Sequence, residues 1–91
     1  MRIFIILCLM CASLAANPVL IEKTGNNREI LNLYSRMEKA IRPEIGNESW
    51  EKYKSAIEFS ASKHEGQFRK DKKKTPYIIH PMGVSFSLFK E

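Results

Sequence analysis

Residues 64–84 read HEGQFRKDKKKTPYIIHPMGV. Gly66 loosens a helix end, and the residues from Arg69 to Lys74 form a polar loop. Thr75-Pro76-Tyr77 is a turn that leads through Ile78-Ile79 to a helix start at His80-Pro81. Proline suits the first helical turn, where its missing N–H has no intrahelical partner. His80 is therefore expected at the cap position. Read outward from this stretch, the chain is helix, loop and helix, and the fold class is expected to be all-α.

The flanking residues agree. Trp50, Tyr53, Ile57, Ala61 and His64 recur at steps of three or four, which marks one helix face. Ala56 and Ser60 widen that face with small side chains, so a neighbouring helix can approach closely. Further upstream, Asn27 is a candidate N-cap for a helix carrying Ile30, Leu33, Tyr34, Met37 and Ile41. Pro43 is expected to end that helix, because the residue before a proline disfavours the helical region. Gly46-Asn47 makes a break, and the next helix is expected to start near Ser49 or Trp50. Downstream, Val84, Leu88 and Phe89 are expected on the inner face of the last helix, with Phe68 as a core anchor. No strand pattern and no internal repeat is visible.

A chain of 91 residues allows one small domain at most. Residues 1–15 have the character of a signal peptide: Arg2, an apolar run from Ile3 to Met10, and small residues at Ser13 and Ala15. The apolar run is too short to span a membrane, which takes about 20 residues. Both cysteines, Cys8 and Cys11, lie in this leader, so the remainder has no disulfide framework of the kind small secreted domains use. Residues 16–27 carry Pro18, Gly25 and Asn26-Asn27 without clear periodicity and are expected to be a linker. Asn47-Glu48-Ser49 is an N-glycosylation sequon.

The net charge is +5, and it is uneven. Arg69, Lys70, Lys72, Lys73 and Lys74 stand against Asp71 alone, which concentrates positive charge in one short loop. Such a run favours an anionic partner. His80 taken by itself is weak as a metal ligand, since a metal site needs several converging ligands and His64 is the other histidine. No HExxH motif, glycine-rich phosphate loop or nucleophile elbow is present.

Taken together, Ala56, Phe59-Ser60, His64, Gln67, Arg69-Lys70, Pro76-Tyr77, His80-Pro81 and Val84 resemble, at unbroken spacing, the first motif of the Rel/SpoT-type metal-dependent HD hydrolase family. The variant is most similar to the short animal branch of that family. The likeness covers residues 50–89. It implies that residues 28–91 are the N-terminal part of an HD-type helical bundle that is incomplete here. It implies a nucleotide pyrophosphohydrolase acting on guanosine 3′,5′-bis(diphosphate), with a nicotinamide dinucleotide phosphate as the alternative substrate. His80 matches the first metal-ligand histidine, usually serving manganese. Arg69 and Lys70 match the basic pair that contacts the nucleotide. His64, Gln67 and Tyr77 are expected to give structural support. The later His-Asp pair and the further Asp of the family are absent, so no residue is assigned a catalytic role and the chain alone is expected to be inactive. The Lys72-Lys73-Lys74 run also departs from the family, where a glycine or acidic residue is common.

A second reading is a small secreted, basic helical protein that binds an anionic or protein partner without catalysis. Nucleic-acid binding through the basic loop ranks last. The leader points to the secretory pathway and the resemblance points to an intracellular enzyme, so localisation stays open. In a chain this short, part of the apolar surface is expected to remain exposed.

Overall fold

The computed structural model describes residues 17–91. The described residues form three helices in an all-α arrangement: α1, Pro18–Thr24; α2, Arg28–Lys63; and α3, Ile79–Lys90. The leader assigned to residues 1–15 lies outside the described residues.

The segment expected to be a linker contains a helix instead. Asn17 caps α1, its side-chain Oδ1 accepting from the Leu20 N–H at 3.1 Å, and Pro18 occupies the first turn. Gly25, at φ 67, takes the left-handed conformation and donates its N–H back to the Ile21 carbonyl. These are complete start and stop signals around only seven residues. Leu20 is fully buried, so packing rather than helix propensity holds this short element in place.

Asn27 caps α2 as expected, accepting from the Ile30 N–H at 3.1 Å. Pro43 does not end the helix. The chain stays helical past it, and the break falls at Gly46, with φ 85 and ψ 166. A proline removes one hydrogen bond and bends a helix. Reversing the chain requires a dihedral pair that in practice only glycine adopts. The second arm of α2 is already helical at Asn47, before the expected start at Ser49 or Trp50.

The two arms fold onto each other. Tyr34 in the first and Trp50 in the second have ring centroids 5.8 Å apart, and Tyr53 stacks on Trp50 at 5.7 Å. Ile30, Met37, Ile41, Trp50, Ile57 and Ala61 are buried here, as their spacing predicts. At the kink, Arg42 bridges the arms, donating to Glu38 and to Asn47, each at 2.8 Å.

α3 packs on α2. Met82 and Phe86 are its buried residues, with Ile78 just before its start. This corrects the inner face read from the sequence: Val84, Leu88 and Phe89 are exposed. Met82 and Val84 are two residues apart, roughly 200° around a helix, so Val84 and Leu88 face away from the core, while Phe89 shares the row of Met82 and Phe86 but lies in the last turn of the helix. The interface passes the small residues Ala56 and Ser60 and leaves an apolar cavity of about 160 Å³ between the helices. The Tyr53 hydroxyl is hydrogen-bonded to the Ser85 hydroxyl across it. Among the described residues, no helix is long and apolar enough to cross a membrane.

Candidate functional site

Between α2 and α3 the chain makes a narrow-necked loop that positions every site residue read from the sequence. His64 caps the C-terminus of α2, its N–H bonded to the Ser60 carbonyl at 3.0 Å. The Arg69 N–H donates to the Thr75 carbonyl and the Tyr77 N–H to the Gln67 carbonyl, each at 2.8 Å. These two bonds form a single antiparallel bridge between Phe68 and Pro76. Thr75 is buried at the neck. Phe68 is 55% exposed, contrary to its expected place in the core. Phe68 lies between the two bridge bonds opposite Pro76, and Ile78 and Thr75 are buried there instead.

Above the neck, residues 69–74 are all exposed. Asp71 serves the loop itself. Its carbonyl accepts from the Lys74 N–H at 3.2 Å, and its carboxylate accepts from the Thr75 N–H at 3.4 Å. Lys74 has φ 50, a left-handed conformation that costs an ordinary residue energy and glycine little.

Three rings line the base of the loop. His64 and Tyr77 have ring centroids 5.0 Å apart, and Tyr77 and His80 have centroids 5.7 Å apart. His64 Nδ1 is 2.8 Å from the Gln67 side-chain oxygen. In this arrangement the imidazole Nδ1–H donates to the amide carbonyl. Lys23 of α1 reaches Glu65 at 3.5 Å, tying α1 to the foot of the same loop. Pro76 and Tyr77 then turn the chain into α3, their carbonyls accepting from Ile79 at 3.2 Å and His80 at 2.9 Å. Ile78, not His80, occupies the cap position, and His80 is the second helical residue with its ring exposed.

Arg69 and His80 line one open groove of about 390 Å³, together with Ile79, Gly83, Val84 and Leu88. That volume lies within the range of small-molecule sites. Lys70 stands on the loop tip and does not line the groove. Sequence reasoning missed Thr75 and Asp71, which shape the loop, and the apolar wall made by Val84 and Leu88. The signal available was the helical phase set by Met82.

His80 and His64 do not complete a metal site. Among the described residues, no group of three or more His, Cys, Asp or Glu side chains could hold a metal ion. The side chains present therefore do not fit a bound manganese ion, and no step through a metal follows from them.

The chain is similar to the guanosine-3′,5′-bis(diphosphate) 3′-pyrophosphohydrolase MESH1 of Xenopus tropicalis, at 60% identity over 30 residues. The matched stretch is 33% of this chain and 17% of that relative. No family model matches the chain, and no solved structure matches it.

Proposed function

We propose that this chain carries the nucleotide-recognition segment of a guanosine 3′,5′-bis(diphosphate) 3′-pyrophosphohydrolase of the Rel/SpoT type. The observation that carries the reading is the groove shared by Arg69 and His80, formed by the stretch that resembles the family's first motif. The 60% identity to the Xenopus hydrolase over 30 residues supports it.

The roles follow from the chemistry of the side chains. A guanidinium such as that of Arg69 stacks on a purine or pairs with phosphate in two places. Lys70 supplies a point charge to phosphate from the tip. His80, on the first turn of α3, is the residue the resemblance assigns to a metal. A bound divalent ion would supply Lewis acidity and an activated water, and it needs ligands beyond those among the described residues. Substrate binding and positioning are the contribution of these residues.

Titration of the isotopically labelled chain with guanosine 3′,5′-bis(diphosphate), followed by NMR, tests this. Resonances of Arg69, Lys70, His80 and Gly83 are expected to shift, and Arg69→Ala with Lys70→Ala is expected to remove the shifts. Shifts confined to other surfaces, or none, would overturn the reading. A parallel titration with a nicotinamide dinucleotide phosphate decides between the two nucleotide classes.

A further inference from the structure

The basic loop has more charge than the groove uses, and Val84 and Leu88 share that groove with Arg69. Lys70, Lys72, Lys73 and Lys74 are exposed, and none of them, nor Arg69, is in an ion pair among the described residues. Asp71, the one carboxylate of the loop, is directed at the loop's own backbone. The positive charge therefore projects outward without internal compensation. The neck hydrogen bonds hold it on a fixed stalk.

Beside it lies exposed apolar surface. Phe68 precedes the loop at 55% exposure. Across the groove from Arg69, Val84 and Leu88 stand one helical turn apart on α3, at 46% and 66% exposure. A nucleic acid backbone gains little from aliphatic side chains next to its phosphates. A lipid surface gains from both, because lysines meet anionic headgroups while Phe, Val and Leu enter the acyl boundary. The cations are four lysines to one arginine, which are point charges suited to a diffuse negative surface rather than to paired recognition.

We infer that the loop tip, with Phe68, Val84 and Leu88, is a docking surface for an anionic membrane leaflet. Lys72, Lys73 and Lys74 lie outside the nucleotide groove, whereas Val84 and Leu88 line it, so the docked face and that groove share the α3 wall.

Flotation of the 91-residue chain with phosphatidylcholine vesicles, and with vesicles also containing phosphatidylserine, tests it. Binding is expected only with phosphatidylserine and is expected to fall as salt is raised. The triple change Lys72→Glu, Lys73→Glu and Lys74→Glu should weaken partitioning by at least about 100-fold, given the usual contribution of each basic residue. Circular dichroism should be unchanged, because these side chains are exposed. Leu88→Ser should weaken binding without altering its salt dependence. Equal binding to neutral vesicles, or no effect of the triple change, would overturn the inference. Tight binding of a single-stranded RNA oligonucleotide with no vesicle flotation would also overturn it and assign the loop to nucleic acid.

Discussion

The ring of His64 lies 5.0 Å from that of Tyr77, so the residue closing α2 touches the residue opening the turn into α3. This contact closes the base of the basic loop and sets the direction from which α3, and His80 on it, leaves the turn. The Tyr77 hydroxyl has no hydrogen-bond partner among the described residues, so the ring face matters here. Tyr77→Phe is expected to be nearly neutral. Tyr77→Ala should cost about 1 kcal/mol, the usual value of such an aromatic pair, and should move the His64 and His80 ring resonances together. NMR of the two variants checks both, and independent movement of the two histidines would show that Tyr77 does not link them.

Gly46 turns α2 back on itself at φ 85, and a Cβ there would meet nothing within 4 Å. Any cost of Gly46→Ala is therefore conformational rather than a clash. It is expected to be about 1–3 kcal/mol, read as a lowered midpoint in urea. Pro43→Ala nearby should cost much less, because the helix continues past Pro43.

Lys74 is the converse case. It holds a left-handed conformation without being glycine. Lys74→Gly removes a penalty of about 1–2 kcal/mol and adds an unfolded-state entropy cost of about 0.5–1 kcal/mol. The expected net gain is about 0.5–1 kcal/mol in denaturant unfolding. Lys74→Val should destabilise, since a β-branched side chain tolerates this conformation least.

Much of the fold was legible in the sequence. Trp50, Tyr53, Ile57 and Ala61 fall on one face by spacing, and the first arm of α2 follows from its Asn27 cap and the kink from Gly46, whereas Pro43 does not end the helix and Ile78, not His80, caps α3. α1 was not legible by periodicity because seven residues are too few to show a period; its signals were the caps at Asn17 and Gly25. The face of α3 was misread because Met82 was left out of the pattern. Met82 sets the phase with Ile78 and Phe86, and Val84 and Leu88 then turn outward. At the site, the resemblance pairs Arg69 with Lys70 and sets His80 apart as a metal ligand; the groove that Arg69 and His80 share was not legible. Their meeting in one groove depends on the neck bonds of Arg69 with Thr75 and Gln67 with Tyr77, which leave no pattern in residue spacing.

That phase makes a direct comparison possible. Met82 is 2% exposed and Leu88 is 66% exposed, although both are large apolar residues of α3. Met82→Ala should cost about 2–5 kcal/mol, since it enlarges the cavity already present between α2 and α3. Leu88→Ser should stay within about 0.5 kcal/mol. Urea unfolding of the two variants checks the order, and equal effects would place Leu88 in the core.

Tyr34 gives the stability of the chain a dependence on alkaline pH. Its ring is buried between the arms of α2, and burial pushes its hydroxyl up from 10.0 to about 12, with Glu38, Glu58 and Glu51 adding in the same direction and the neighbouring Asn17 opposing. The folded protein therefore keeps this proton at a pH where the unfolded chain releases it. The corresponding stability is full below about pH 10 and is lost as pH rises from there toward 12. Its size is on the order of 2 kcal/mol. Tyr34→Phe has no proton to lose and should show a flatter decline over that interval. Every other titratable group is common to both proteins, so the difference between the two pH profiles isolates Tyr34. Urea midpoints measured at about pH 8 and about pH 11 are sufficient. Parallel declines in the two proteins would mean that the Tyr34 hydroxyl reaches solvent.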